Sequence, residues 1–130
     1  MVTLTKILIV DDDREFRELI IFALRFTGLF AFGAASGDEC LSLARLHMPD
    51  LILLDYDLHN INSNPVDELL KVDEKTASIP VIMLFEKSLQ SEIQATNFER
   101  VSGFINKSES PDNITRQVIR YLLKAKKPNP

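Results

Sequence analysis

Two short acidic clusters are the parts of this chain whose residue types and spacing could support chemistry. The triplet 11–13 directly follows the apolar run Lys6–Val10, and Asp55 and Asp57 follow a second apolar run at 51–54. Two like charges about 4 Å apart repel by about 4 kcal/mol at an effective dielectric constant of 20. Crowded carboxylates must therefore take up a proton or bind a cation. Oxygen ligands with room for water favour Mg²⁺ over zinc, so the clusters predict a Mg²⁺ site if the fold brings them together.

Apolar runs alternate with segments of helical period along the chain. After Asp13, apolar residues recur at i, i+3, i+4, i+7 and i+8, with Asp13 as the expected N-cap and Gly28 as the expected stop. Pro49 is expected to end the second helix after Met48. The predicted strands are Lys6–Val10, Phe30–Ala34, 51–54, Val81–Phe85 and 102–105, and the predicted helices are 13–28, 36–48, 66–76, 89–97 and a last one from Pro111.

Strands that alternate with helices predict an α/β fold with a parallel sheet covered on both faces. Five such units suit a flavodoxin-like, doubly wound sheet in the order 2-1-3-4-5, with the first and fifth helices on one face. Strands 1 and 3 are then neighbours about 4.8 Å apart, which should crowd Asp11, Asp12 and Asp55. Strand 5 ends near Lys107, whose ammonium is expected to reach the same pocket. A metal, a carboxylate and a lysine around one point make a site for a transferring phosphoryl group.

Composition limits the alternatives. The 130 residues suit one domain, expected at 1–124 with a tail or linker start at 125–130. The net charge of −4 argues against nucleic-acid binding by this domain. The single cysteine, Cys40, excludes an internal disulfide and is expected in the core. No apolar run approaches the roughly 20 residues of a membrane span, and no signal segment begins the sequence, so a cytoplasmic domain without membrane contact is expected.

Four blocks of sequence carry a family resemblance. They are VDDDREFREL at 10–19, PDLILLD at 49–55, IPVIML at 79–84 and GFINK at 103–107. In this order and spacing the chain resembles the receiver domain of two-component response regulators, and the resemblance covers nearly the whole chain, residues 4–124.

The resemblance implies a role for each charged residue. Asp55 would accept a phosphoryl group from a phosphohistidine on a sensor histidine kinase or phosphotransfer protein. Asp12, Asp55 and the backbone carbonyl of Asp57 would ligate Mg²⁺, and Asp11 would hold it through water. Lys107 would pair with Asp55 or its phosphate. Such a domain is a signalling phosphoprotein and not an enzyme.

The resemblance also implies partners. The output domain or target protein would contact the fourth helix, fifth strand and fifth helix. The resemblance leaves open whether the domain forms a homodimer. It also leaves open whether an output domain follows residue 130, because the Lys-Pro-rich end suits a linker.

Several positions depart from the family pattern. The switch position at the end of strand 4, where the family has Thr or Ser, is Phe85, and the next residue is Glu86 in place of Ala or Gly. The aromatic switch residue of strand 5, Phe104, is within the pattern. Ser108 replaces the usual proline, and the loop at 59–65 replaces a shorter Pro-Gly loop. These changes favour the alternative of a pseudo-receiver that acts through protein contacts without phosphate.

A further alternative is an enzyme. The Asp-x-Asp pattern at 55–57 also occurs in haloacid-dehalogenase-type phosphatases, where it ends the first strand of a longer chain. Here it follows the third predicted strand of a small domain, which argues against that class.

Overall fold

The structure is a computed structural model and describes residues 4–58, 60–61, 64–86 and 101–125. In the described residues, a five-stranded parallel sheet carries helices on both faces. The strands are β1 (Lys6–Val10), β2 (Phe30–Ala34), β3 (Leu51–Asp55), β4 (Val81–Phe85) and β5 (Gly103–Asn106), and the helices are α1 (Arg14–Phe26), α2 (Gly37–His47), α3 (Val66–Val72) and α4 (Pro111–Ala125).

The sheet has the order β2-β1-β3-β4-β5, and each neighbouring pair is parallel, as the sequence predicts. Every residue of β3 is buried, which explains its uninterrupted apolar run. Alternate residues of β1 point to opposite faces and into separate cores. Ile7 and Ile9 pack with α1 and α4, whereas Leu8 and Val10 pack with α2 and α3. The predicted pairing of the first and last helices on one face is confirmed.

The caps of α1 and α2 set the length of both helices. Asp13 accepts a hydrogen bond from the Phe16 amide at 3.2 Å, so it is the predicted N-cap of α1. Gly28, just past the C-terminus, has φ +92°, a conformation that glycine adopts without steric cost. The second helix ends at His47, one residue before the predicted end, because Met48 takes the left-handed conformation with φ 51°.

The third helix is shorter than predicted. It ends at Val72, whereas the apolar spacing favoured an end near Thr76. The Thr76 hydroxyl donates to the Leu70 carbonyl at 2.6 Å, and the Lys71 ammonium donates to the carbonyls of Ala77 and Ile79. These bonds satisfy one carbonyl in the last turn of α3 and two after the helix, and they hold 73–79 as a compact turn instead of a further helical turn.

Smaller differences concern the loops and ends. Residues 56–65, which the sequence predicts to be irregular, contain a 3-10 turn at Tyr56–Leu58 and a short hairpin that pairs Asn60–Ile61 with Asn64–Pro65. The last strand is one residue later than predicted. Because the fourth predicted helix, 89–97, lies outside the described residues, four of the five predicted helices are seen. None of the described helices is long and apolar enough to cross a membrane.

Candidate functional site

Three carboxylates meet at the carboxyl ends of β1 and β3. Val10 lies beside Leu54 in the sheet, so the residues that follow them, Asp11 and Asp55, lie at neighbouring points at the carboxyl ends of the two strands. Asp11 is fully buried, Asp55 is 3% exposed, and Asp12 is exposed. One carboxylate oxygen from each of the three lies within 4.8 Å of the others. The sheet order therefore brings together the residues that the sequence singles out.

Asp57 lies apart from this group of carboxylates. It belongs to the 3-10 turn after β3, and its side chain is exposed. Among the described residues, the cluster of close carboxylates contains Asp11, Asp12 and Asp55 and does not include Asp57.

Asp11 is fixed by its own backbone and by α1. Its Oδ1 accepts a hydrogen bond from the Asp13 amide at 2.9 Å, and its backbone carbonyl accepts one from Arg17 Nη1 at 2.6 Å. Its Oδ2 is buried and forms an ion pair with Lys107 Nζ at 2.7 Å. A carboxylate oxygen has more than one lone pair, so Oδ2 could also accept a bond from a metal-bound water.

Lys107 reaches the carboxylates from the far edge of the sheet. Its amide donates to the Phe85 carbonyl at 2.8 Å, which sets the residue at the end of β5. Its Nζ lies 2.7 Å from Asp11 Oδ2, 3.3 Å from Asp55 Oδ1 and 4.8 Å from the centre of the Phe16 ring. The side chain is 12% exposed, so its charge is little screened by water.

The surroundings of the pocket shift the pKa values of both Asp55 and Lys107. Burial, together with the nearby Asp11 charge, raises the pKa of Asp55 from 3.8 to about 6, although Lys107 opposes part of that rise. Burial alone lowers the pKa of Lys107, but its contacts with Asp11 and Asp55 outweigh burial, and the net pKa is raised. At pH 7 the pocket therefore holds an ionised Asp55 beside a cationic lysine.

The two predicted switch positions are in contact. Phe85 ends β4 and is half-buried, and its ring packs edge-to-face on that of Phe104, with 6.3 Å between ring centres. Glu86 follows as an exposed residue. At the end of β4 the chain therefore has an aromatic ring in place of the Thr or Ser hydroxyl that could form a hydrogen bond.

Arg17 is a supporting residue that the sequence patterns did not reveal. It holds the Asp11 carbonyl, and its aliphatic stem crosses β2 at Gly33. A Cβ on Gly33 would lie 2.8 Å from Arg17 Cδ, closer than a real contact allows. The signal available in the sequence was Gly33, because a glycine inside a strand often marks a place where another part of the molecule approaches the backbone closely.

The comparison with protein families decides the assignment. Residues 7–119 match the model of the response regulator receiver domain. This chain belongs to the response regulator receiver family. The predicted receiver fold and two-component class are confirmed, and the matched range contains the four carboxylates, Lys107 and both aromatic residues.

Curated relatives of this receiver domain differ in length. The chain is 34% identical to the phosphate regulon regulator PhoB of Pseudomonas aeruginosa over 117 residues, which cover 89% of the chain and 51% of PhoB. It is 31% identical to the polar-differentiation regulator DivK of Brucella ovis over 116 residues, which cover 89% of the chain and 94% of DivK. It also matches 33% of the DNA-binding regulator RpaA of Synechocystis at 39% identity, over 61% of the chain. The chain thus spans a third to a half of two relatives and nearly all of another.

Solved structures support the same fold. A response regulator from Desulfuromonas acetoxidans superposes with a TM-score of 0.82 at 24% identity, covering 92% of this chain and 97% of that one. A response regulator from Chloroflexus aurantiacus superposes with a TM-score of 0.79 at 26% identity, covering 93% and 99%.

Proposed function

We propose that this receiver domain accepts a phosphoryl group on Asp55 from a phosphohistidine, with Mg²⁺ bound, and thereby switches a partner or output domain. The observation that carries the proposal is the position of the Lys107 ammonium, within 3.3 Å of oxygens of both Asp11 and Asp55. A cation held between two buried carboxylates is suited to neutralise a phosphoryl group that arrives there.

The chain's own residues account for the transfer. A carboxylate oxygen of Asp55 attacks phosphorus, and the new O–P bond forms as the P–N bond to the donor imidazole breaks. The electron pair of the broken bond leaves with the imidazole nitrogen. Because the pKa of Asp55 is about 6, the carboxylate is mostly ionised at pH 7 and is ready to attack. Lys107 offsets the charge that the phosphoryl oxygens bring.

The acidic residues fit a hard divalent cation. Asp12 is exposed and available, Asp55 lies beside it, and Asp11 Oδ2 is a buried oxygen that is ion-paired with Lys107. We assign the metal to Asp12, Asp55 and the Asp57 backbone carbonyl, with Asp11 acting through water. Bound there, Mg²⁺ supplies positive charge to the phosphoryl oxygens and lowers the repulsion among the carboxylates.

Phe85 and Glu86 support a second candidate, a receiver that signals by protein contacts alone. Phe85 has no hydroxyl to bond a phosphate oxygen, and its ring is already packed on Phe104. Glu86 and Asp57 add exposed negative charge beside a site that would receive a dianion. The intact set of Asp11, Asp12, Asp55 and Lys107 favours the phosphoacceptor.

We further propose a cytoplasmic signalling protein and not an enzyme, with a sensor histidine kinase or phosphotransfer protein as donor. The output partner would contact β5 and α4, together with the fourth predicted helix at 89–97, which lies outside the described residues. PhoB and RpaA are far longer than the matched segment, which supports an output domain in at least some relatives.

The decisive experiment is labelling by acetyl phosphate with Mg²⁺, measured by intact mass. We expect one added phosphate in the wild type and in Asp57→Asn, which keeps its backbone carbonyl, and none in Asp55→Asn or without Mg²⁺. If the domain is a pseudo-receiver, the wild type takes up no phosphate from acetyl phosphate or from a phosphorylated kinase, even under conditions in which its binding of Mg²⁺ is shown separately.

A further inference from the structure

Arg17 bonds the backbone at the point where the acidic pocket begins. Its Nη1 donates to the Asp11 carbonyl at 2.6 Å, a short bond from a charged donor. Asp11 is the first residue after β1, and its amide donates to the Ala34 carbonyl at the end of β2 at 3.0 Å. The guanidinium of Arg17 therefore supplies a partner to a carbonyl that lies just past the end of β1.

The side chain of Arg17 is confined between α1 and β2. A Cβ on Gly33 would lie 2.8 Å from Arg17 Cδ, 3.1 Å from Arg17 Cγ and 3.0 Å from Ile21 Cδ1, one turn further along α1. The half-buried stem thus passes close over the glycine backbone and has few other places to lie. Because little side-chain freedom is left to lose, the bond to the Asp11 carbonyl costs little entropy.

The carbonyl that Arg17 binds belongs to the peptide that carries Asp12. A peptide unit is planar and rigid, so the orientation of the Asp11 carbonyl also fixes the direction in which Asp12 continues the chain. The next amide, that of Asp13, donates to Asp11 Oδ1 at 2.9 Å. The turn at 11–13 is therefore held by the Asp11 side chain and by the Arg17 guanidinium, whereas the Asp12 side chain itself is exposed.

We propose that Arg17 is a positioning residue for a divalent cation in the acidic pocket. By holding the peptide between Asp11 and Asp12, it keeps the Asp12 carboxylate where it can share a cation with Asp55, whose oxygen lies within 4.8 Å. This inference rests on the proposed function for the identity of the cation, Mg²⁺. Groups that orient metal ligands from behind change metal affinity by about tenfold to a hundredfold, and we expect about tenfold for Arg17.

The charge of Arg17 has the opposite effect on Mg²⁺. A guanidinium close to the pocket repels a cation, so removal of its charge alone would tighten Mg²⁺ binding. Removal of the bond to the Asp11 carbonyl frees the turn at 11–13 and weakens Mg²⁺ binding. The sign of the change in affinity therefore separates a positioning role of Arg17 from a purely electrostatic one.

The first test is titration calorimetry of the chain with Mg²⁺ at pH 7. We expect Arg17→Ala to weaken Mg²⁺ binding about tenfold. The matched control is Arg14→Ala, because Arg14 lies on the same helix, is 80% exposed and pairs with Glu18 at 3.0 Å. This control removes the same charge without touching the Asp11 carbonyl and should bind Mg²⁺ within about twofold of the wild type. Circular dichroism establishes that each variant is folded during the titration.

The second test moves Arg17 without removing it. Gly33→Ala keeps the guanidinium and its charge but pushes the new Cβ against the Arg17 stem, so it should also weaken Mg²⁺ binding. In an Arg17→Ala background the same change should have little effect, and the double variant should bind Mg²⁺ within about twofold of Arg17→Ala alone. Without metal, the Asp13 amide should exchange hydrogen faster in Arg17→Ala than in the wild type.

Each outcome decides the proposal. A purely structural role of Arg17 predicts lower stability with an unchanged Mg²⁺ affinity of the folded protein, and an electrostatic role predicts tighter binding; either result in Arg17→Ala would overturn the positioning role alone. A loss on Gly33→Ala that persists in full without Arg17 would overturn it too. A wild type that binds no Mg²⁺ would overturn the metal assignment of the proposed function together with this inference.

Discussion

The buried charge of Asp55 should make the wild-type domain less stable at neutral pH than a variant without that charge. Asp55 has a pKa of about 6 in the folded chain against 3.8 in the unfolded chain. Below pH 3.8 the carboxyl is neutral in both states, and above pH 6 the folded protein must hold an ionised carboxylate that prefers the unfolded chain. The raised pKa therefore means that stability is lost as pH rises from about 4 to about 6.

The magnitude follows from the two pKa values. Their difference corresponds to at most about 3 kcal/mol of unfolding free energy. Asp55→Asn keeps the shape and removes the charge, although Lys107 then loses one of its two ion-pair partners. We expect Asp55→Asn to be about 1 to 3 kcal/mol more stable than the wild type at pH 7, and nearly equal to it at pH 4.

Urea unfolding at pH 4, 5, 6 and 7, followed by circular dichroism with EDTA present, measures this difference. Asp57→Asn is the matched control, because Asp57 is exposed and its substitution should change stability by less than about 0.5 kcal/mol. The reasoning fails if Asp55→Asn is no more stable than the wild type at pH 7, or if its advantage is the same at pH 4.

Three further predictions concern the metal, the support of the pocket and the core thiol. Mg²⁺ should raise the thermal midpoint of the wild type and should do so much less in Asp12→Asn, with differential scanning calorimetry as the measurement and Ca²⁺ as a comparison ion. Gly33→Ala should lower the unfolding free energy by about 1 to 3 kcal/mol, because the new Cβ would overlap the Arg17 stem, and Arg17→Ala in the same chain should recover part of the loss. Burial raises the pKa of the Cys40 thiol to about 12, so alkylation at pH 8 should proceed only as fast as the domain opens; rapid labelling of the native protein would contradict this.

The location of the acidic pocket could be predicted because it depends only on strand order. The flavodoxin-like strand order 2-1-3-4-5 makes β1 and β3 neighbours, so the acidic residues at their carboxyl ends must meet. The ends of β1, β2 and β4 could be read directly from apolar runs bounded by acidic residues and turns. The same reasoning placed Lys107 at the edge of the pocket.

Other features depend on contacts between distant residues. The end of α3 is set by the Thr76 hydroxyl bond to the Leu70 carbonyl, which no local pattern announces. Arg17 looks like an ordinary exposed residue of an amphipathic helix, and only the approach of β2 at Gly33 turns it toward the Asp11 carbonyl.

The ion pair between Lys107 and Asp11 ties the outer edge of the sheet to its centre. In the described sheet β5 is an edge strand beside β4. The residue after it is held by a hydrogen bond from the Lys107 amide to the Phe85 carbonyl of β4 and by the Lys107 ammonium over the ends of β1 and β3. We therefore expect a change of charge at Asp55 to alter how readily the end of β5 frays. The exchange rates of the backbone amides at 105–108 would then report the charge state of the pocket. This readout depends on the protection of the edge strand and needs no hydroxyl group at position 85.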